Sequence, residues 1–227
     1  MSLGESAYRQ LRADIVTCRL TPGQRLTEKQ LAADTGFGMS PLRDALTRLD
    51  AEGLIITLPR KGYLVTALTP KSIDDLFVVW QVVGPEIVRL GIENGSEAEL
   101  VTVRDGFHEL DDISDGVGPG WAHHRSAVAE RAFGNLAAAT GNAYLVALFH
   151  RLSADLDRIW SLLLLHDRDI VTAEEGLLLG RDIGRPDADR AAEEIRRHIG
   201  TSREQALRAV LRWPSIMATE VVVAPLR

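Results

Sequence analysis

The stretch that most constrains the fold of this 227-residue chain is Arg25–Val65. Two short amphipathic segments are held apart there by Thr35-Gly36-Phe37-Gly38, and two apolar runs follow, joined at Pro59-Arg60-Lys61-Gly62. Thr27 is placed to cap the first helix, with Gln30 three residues on completing a capping box. Ser40 reads as the N-cap of the second helix and Pro41 as its first residue, where a missing N–H costs nothing. Leu42, Ala45, Leu46 and Leu49 then form one apolar face, and Gly53 ends the helix. Leu54–Thr57 and Tyr63–Thr66 read as strands. The order predicts helix, turn, helix and a two-stranded wing. A helix that opens on bare N–H groups with Arg43 one turn in suits a DNA major groove, and a basic hairpin tip suits phosphates. The same pattern also fits an ordinary two-helix core with a charged loop.

Charge favours the first alternative. The net charge of −6 hides an asymmetry: residues 1–68 hold nine Lys/Arg against seven Asp/Glu, and the remainder seventeen against twenty-five. A weakly basic head on an acidic body can approach a polyanion in one orientation only. The single cysteine, Cys18, excludes an internal disulfide and a cysteine-based zinc site. No apolar run is long enough to span a bilayer and the first residues lack a signal-peptide pattern, so cytoplasmic residence without membrane contact is expected.

Tyr8, Leu11 and Ile15 place a helix over residues 5–18, ahead of the helix pair. After Lys71 helical periodicity takes over. Helices are expected near 73–94, 97–114, 121–140, 143–168, 172–183, 186–199 and 202–212, with Gly116–Gly120 as a breaker and Thr140-Gly141-Asn142 as a cap and turn. The expected fold is mainly α, with a winged helix-turn-helix over residues 1–68 and an all-helical bundle over 69–227.

RLTPGQRLTEKQLA, MSPLRDALTRLDAEGL and PRKGYLV, in that order, resemble the winged helix of the GntR family of bacterial transcription regulators across residues 8–68. The resemblance implies binding to double-stranded DNA. Lys29, Ser40, Arg60 and Lys61 are then expected on phosphates, and Arg43 is the best remaining base reader. Met39 stands where the family usually carries a base-reading Arg, and it cannot contact guanine in bidentate fashion. Arg25, Pro41, Arg48 and Gly62 complete the expected DNA-facing set.

AERAFGNLAAATGN and RPDADRAAEEIRRHI resemble segments of the ligand-binding (FCD) domain of FadR-type members of that family, over residues 72–200. There, one carboxylate and three histidines usually hold a divalent metal on which a small carboxylate effector binds. The equivalent positions here are Glu130, Gly134, Gly176 and His198, so two ligands are glycine. A lone Glu and one His cannot fill a first shell, and no metal or other cofactor is expected. The glycines serve either close helix packing or a cavity emptied for a ligand. Trp80, Glu130, Arg131, Gly134, Asn135, Gly176 and His198 are the expected effector contacts. The family's helical Arg/Glu pair is replaced by Trp80 and Gly84, and the following Pro85 is expected to kink its helix.

These readings imply a metabolite-responsive transcription regulator, a repressor acting as a homodimer on a near-palindromic operator, with an organic acid as effector. The alternative is a regulator with a degenerate effector site that answers to a protein partner. An enzyme is disfavoured, because no nucleophile–base motif, phosphate loop or HExxH pair occurs in the sequence.

Overall fold

The computed structural model of the chain describes residues 2–113, 119–166, 179 and 187–212. The chain separates after Thr69 into two compact units, one spanning Met1–Thr69 and the other Pro70–Arg212.

The first unit runs α1 (Leu3–Val16), β1 (Arg25–Leu26), α2 (Glu28–Thr35), α3 (Met39–Ala51), β2 (Ile55–Leu58) and β3 (Gly62–Val65). Its core is the apolar face of α3, where Leu42, Ala45, Leu46 and Leu49 are fully buried against Ala7, Leu11 and Ile15 of α1. The Thr27 hydroxyl accepts the Gln30 N–H at 3.2 Å, which is half of the anticipated capping box, and Gly36 closes α2 in the left-handed region. The start of α3 differs from expectation. It begins at Met39 with Gly38 as N-cap and no side-chain cap bond, so Ser40 already lies inside the helix. Pro41 is still in the first turn, where backbone N–H groups have no intrahelical acceptor, and it costs no hydrogen bond there.

Both wing strands sit one residue from their expected positions, and a third strand joins them in the order β1-β3-β2. Two residues are too few to show alternation, which is why β1 leaves no sequence signal. Arg25 pairs with Leu64, and Leu26 with Tyr63. Gly62 makes this sheet possible. Its φ is +87°, and a Cβ there would lie 2.3 Å from the Leu26 carbonyl oxygen.

The second unit runs α4 (Pro70–Asn94), α5 (Glu97–Asp112), α6 (Pro119–Ala139), α7 (Ala143–His166) and α8 (Ala188–Arg212). The expected helix over 172–183 lies outside the described residues. A reciprocal Ser96–Glu99 box opens α5. Two expected helices, 186–199 and 202–212, are one. Ile195, Ile199, Ser202, Ala206 and Ala209 form an unbroken buried stripe, and burying it outweighs the roughly 1 kcal/mol that Gly200 costs a helix interior. By the same logic α4 continues through buried Pro85 to Asn94. The most extensive packing joins α4 to α8, and α6 packs on α5, α7 and α4. At the α4–α8 crossing a Cβ on Gly84 would fall 2.7 Å from Ile199 Cδ1 and 3.3 Å from the Trp80 ring. Arg203 pins the two helices again through Asp74, with its Nε donating at 2.7 Å.

Gly62→Ala is expected to destabilise the first unit by about 1–3 kcal/mol, through a left-handed non-glycine residue pressed on a fixed carbonyl. Thermal unfolding of the variant checks this, together with amide exchange at Leu26 and Leu64. Unchanged protection at those amides would show that β1 does not depend on Gly62.

Candidate functional site

In the first unit one carboxylate gathers three elements. Glu28, the first residue of α2, accepts the Arg43 Nε of α3 at 3.0 Å and the Tyr63 hydroxyl of β3 at 3.3 Å. Burial, and then the Glu28 charge, raise the Tyr63 hydroxyl above its ordinary pKa. The N-terminus of α2, the outer face of α3 and the wing therefore converge on one side. Arg25, Lys29, Ser40 and Arg43 are exposed, as are Arg60 and Lys61 at the wing tip, where Arg60 has φ +62°. Pro41 and Gly62 are half-buried, and Met39 projects from the first turn of α3, 42% exposed. The Arg43 side chain is 64% exposed, and such surface pairs are worth about 0–1 kcal/mol, so Arg43 can leave Glu28 at little cost.

Arg48 does not belong to this set. Five residues beyond Arg43 on a helix it faces the other way, and it lies 3.5 Å over the Tyr8 ring while pairing with Glu5 at 2.7 Å. The Tyr8 hydroxyl is pushed up by burial and by donating to Glu52. Arg48 is a brace between α3 and α1. Glu28, in turn, was not foreseen, because an acid in the first turn of a helix is usually explained by the helix dipole.

The second unit holds a partly open cavity of about 100 Å³ walled mainly by α4, α6, α7 and α8, with Leu110 of α5 also in its lining. Its walls are aromatic: Phe77 and Trp80 from α4, Phe133 from α6, and Phe149 and Trp160 from α7. Trp80 meets Phe133 edge-on at 5.9 Å and Phe149 at 6.0 Å. Polar groups interrupt that lining. Arg125, Ser126 and Glu130 come from α6, Ser153 and Asp157 from α7, and His198 and Ser202 from α8. Arg125, Ser126, Ser153, Asp157 and Ser202 are all more than nine-tenths buried. The Ser153 hydroxyl donates to Glu130 at 3.4 Å.

Three of the expected contacts, Trp80, Glu130 and His198, thus meet in one cavity. Others do not. Arg131 is one residue round the helix from Glu130, exposed, and paired with Glu109 of α5 at 2.9 Å. Asn135 is exposed. Gly134 is not part of the lining, and a Cβ on it would sit 3.6 Å from Phe149 Cε1, so a phenyl ring stands beside it. Gly176 lies outside the described residues. Sequence reasoning missed Arg125, Ser126, Ser153, Asp157 and Ser202, and all but Arg125 did leave a trace. Ser126/Glu130, Ser153/Asp157 and His198/Ser202 are polar pairs four apart on otherwise apolar helix faces.

Among the described residues no three His, Cys, Asp or Glu side chains converge as metal ligands. Glu130 and His198 share the cavity with Asp157, and among the described residues the family's set of one carboxylate and three histidines is incomplete.

Residues 3–65 match the gntR family of bacterial regulatory proteins, and residues 75–201, more than half of the chain, match the FCD domain. The chain belongs to the gntR family and carries an FCD domain, the combination of the FadR-type subfamily. That family is one of transcription regulators and not of enzymes. Among curated relatives, the HTH-type transcriptional regulator YdhC of Bacillus subtilis is 32% identical over 46% of this chain, and the chain spans only 46% of YdhC's length. BphR of Paraburkholderia xenovorans, also an HTH-type transcriptional regulator, is 28% identical over 88% of this chain and 84% of its own. A GntR transcriptional regulator from Rhodococcus sp. RHA1 shares the fold at TM-score 0.68 and 18% identity, covering 92% of this chain and 99% of the other.

The two arginines of α3 provide the test of the interface. Arg43→Ala is expected to cost about 1–3 kcal/mol of operator affinity and to blur base preference. Arg48→Ala is expected to lower the melting temperature and leave base preference intact. Anisotropy titrations on operator and random duplex separate the two, and equal losses on both duplexes would show that Arg43 only holds a phosphate.

Proposed function

We propose that the protein is a DNA-binding transcription repressor that acts as a homodimer and is controlled by a small molecule held in the four-helix cavity. In this reading Arg25, Lys29, Ser40, Arg60 and Lys61 hold phosphates, Arg43 reads a base, and Pro41 and Gly62 shape the surfaces that present them. Effector binding alters operator affinity through a coupling free energy between the cavity and the heads. A dimer seated on a near-palindromic operator blocks transcription, and the effector relieves the block.

The observation that carries this reading is the cavity itself. Polar side chains at Arg125, Glu130, Asp157 and His198 face a space walled by aromatic rings, the usual composition of a small-molecule site. The rival, a regulator that answers only to a protein partner, expects a closed apolar interior at Glu130 and His198, which this lining disfavours. The size points to a ligand of few atoms, since a cavity of about 150 Å³ takes a benzene-sized molecule.

A single head offers little surface for specificity, which supports two-fold pairing. The face proposed for it is a ridge of α4. Val78, Val79 and Val82 are 40–72% exposed there, with Lys71–Asp75 on one side and Arg89 with Glu86 and Glu93 on the other. An apolar centre between charged rims is how a protein interface is built. Sedimentation is expected to show a dimer at micromolar concentration and a monomer for Val82→Glu; a monomeric parent, with and without DNA, would refute the pairing. If the dimer makes about 6–10 phosphate contacts, operator affinity should fall by roughly 10³–10⁵ between about 50 and 200 mM salt, measured by anisotropy.

The cavity is proposed to work without metal. Elemental analysis of the purified protein should find no stoichiometric transition metal, and a chelator should leave operator binding and its release unchanged. A stoichiometric metal lost together with effector response would overturn this.

A further inference from the structure

The manner in which Arg43 is gripped bears on how it reads a base. Its Nε donates to both oxygens of Glu28, at 3.1 Å and 3.0 Å, while the side chain is 64% exposed. Among the described residues neither terminal nitrogen of that guanidinium donates to a protein acceptor. The carboxylate thus takes the Nε edge of the fork. It leaves the outer pair of nitrogens, whose parallel N–H groups match guanine O6 and N7.

Glu28 is itself fixed. The Tyr63 hydroxyl donates to its Oε1 at 3.3 Å. Tyr63 lies on the central strand β3 and pairs with Leu26, two residues before Glu28, so one sheet seats both the ring and the start of α2. Burial and the Glu28 charge raise the Tyr63 pKa, and the hydroxyl remains protonated and a donor at neutral pH. A carboxylate in the first turn of a helix is ordinarily explained by the dipole. Here, however, both oxygens meet a side chain of another helix, and one also meets the wing. Exposed pairs of this kind add little stability, and a negative charge on a phosphate-facing surface works against binding. What the pair does supply is aim. A long side chain held at Nε before it meets DNA loses less freedom on binding. Resting on the reading of Arg43 as the base reader, we infer that Glu28 and Tyr63 are positioning residues for sequence readout. Tyr63 fixes Glu28, Glu28 holds Arg43 by its Nε, and the two terminal nitrogens are presented to a guanine in the major groove. Arg43 need not release Glu28 to make that contact.

The test uses the full-length protein, the duplex it selects from a randomised pool, and a random-sequence duplex of the same length, with affinities read by anisotropy. Each guanine of the selected duplex is replaced in turn by 7-deazaguanine, which lacks only the N7 acceptor. One replacement is expected to weaken the parent by about fivefold or more and to cost Arg43→Ala nothing. Glu28→Ala should lose most of that penalty while holding the random duplex at least as tightly as the parent does. The double variant Arg43→Ala/Glu28→Ala should discriminate no worse than Arg43→Ala, since the carboxylate acts only through the guanidinium. Tyr63→Phe, which deletes one hydroxyl, should shrink the penalty in the same direction by less. It carries the test alone if Glu28→Ala fails to fold by circular dichroism. A purely structural role for Glu28 would weaken both duplexes alike and leave the 7-deazaguanine penalty whole, and that result overturns the positioning role. If Arg43→Ala keeps the penalty, or if no replacement weakens the parent, the base reading of Arg43 fails first and the positioning role falls with it.

Discussion

The helical unit depends on the close approach of α4 to its neighbours, to the Leu136 carbonyl of α6 at Gly91 and to α8 at Gly84. With no side chain there, Ile199 comes within what would be 2.7 Å of a Cβ and the Trp80 ring lies alongside. Trp80 and Ile199 are both walls of the cavity, and His198 precedes Ile199 on the same helix. A Cβ at position 84 would require the Ile199 side chain, beside His198 on the cavity wall, to turn aside. Pro85 is tolerated because the buried stripe of α4 holds the helix together across the missing hydrogen bond.

Once that approach is made, the polar groups follow from helical spacing. Ser126 and Glu130 on α6, Ser153 and Asp157 on α7, and His198 and Ser202 on α8 are each one turn apart, so each helix points a polar pair into one space, with Arg125 added from α6. Hydroxyls beside carboxylates supply hydrogen bonds where water is scarce, as Ser153 does for Glu130.

The DNA-facing unit meets the opposite requirement. In the proposed role its charges must be exposed and movable, and Arg43 is held by a weak surface pair. Glu28 keeps Arg43 and Tyr63 in register without burying them. Arg48, on the far side of the same helix, is held more firmly by an aromatic face and a carboxylate, and its place is in the unit's own packing. Two arginines five residues apart thus have different tasks because the helix turns about 140° between them.

Much of this was legible in the chain. The α3 face of Leu42, Ala45, Leu46 and Leu49, the turn at Gly36, the wing with its basic tip and the helical body all follow from local periodicity and turn chemistry, which act over a few residues. The meeting of Trp80, Glu130 and His198 was anticipated only through resemblance to a family. What local pattern cannot decide is where distant segments touch. The β1 strand exists because Gly62 lets Leu26 approach; α8 is one helix because its stripe stays buried across Gly200; Arg131 and Asn135 look outward while Arg125, Ser153 and Asp157 look inward. Spacing along one helix orders its faces, but which face becomes interior is set by the neighbours packed against it, and those can be far away in sequence, as Asp74 and Arg203 are, 129 positions apart.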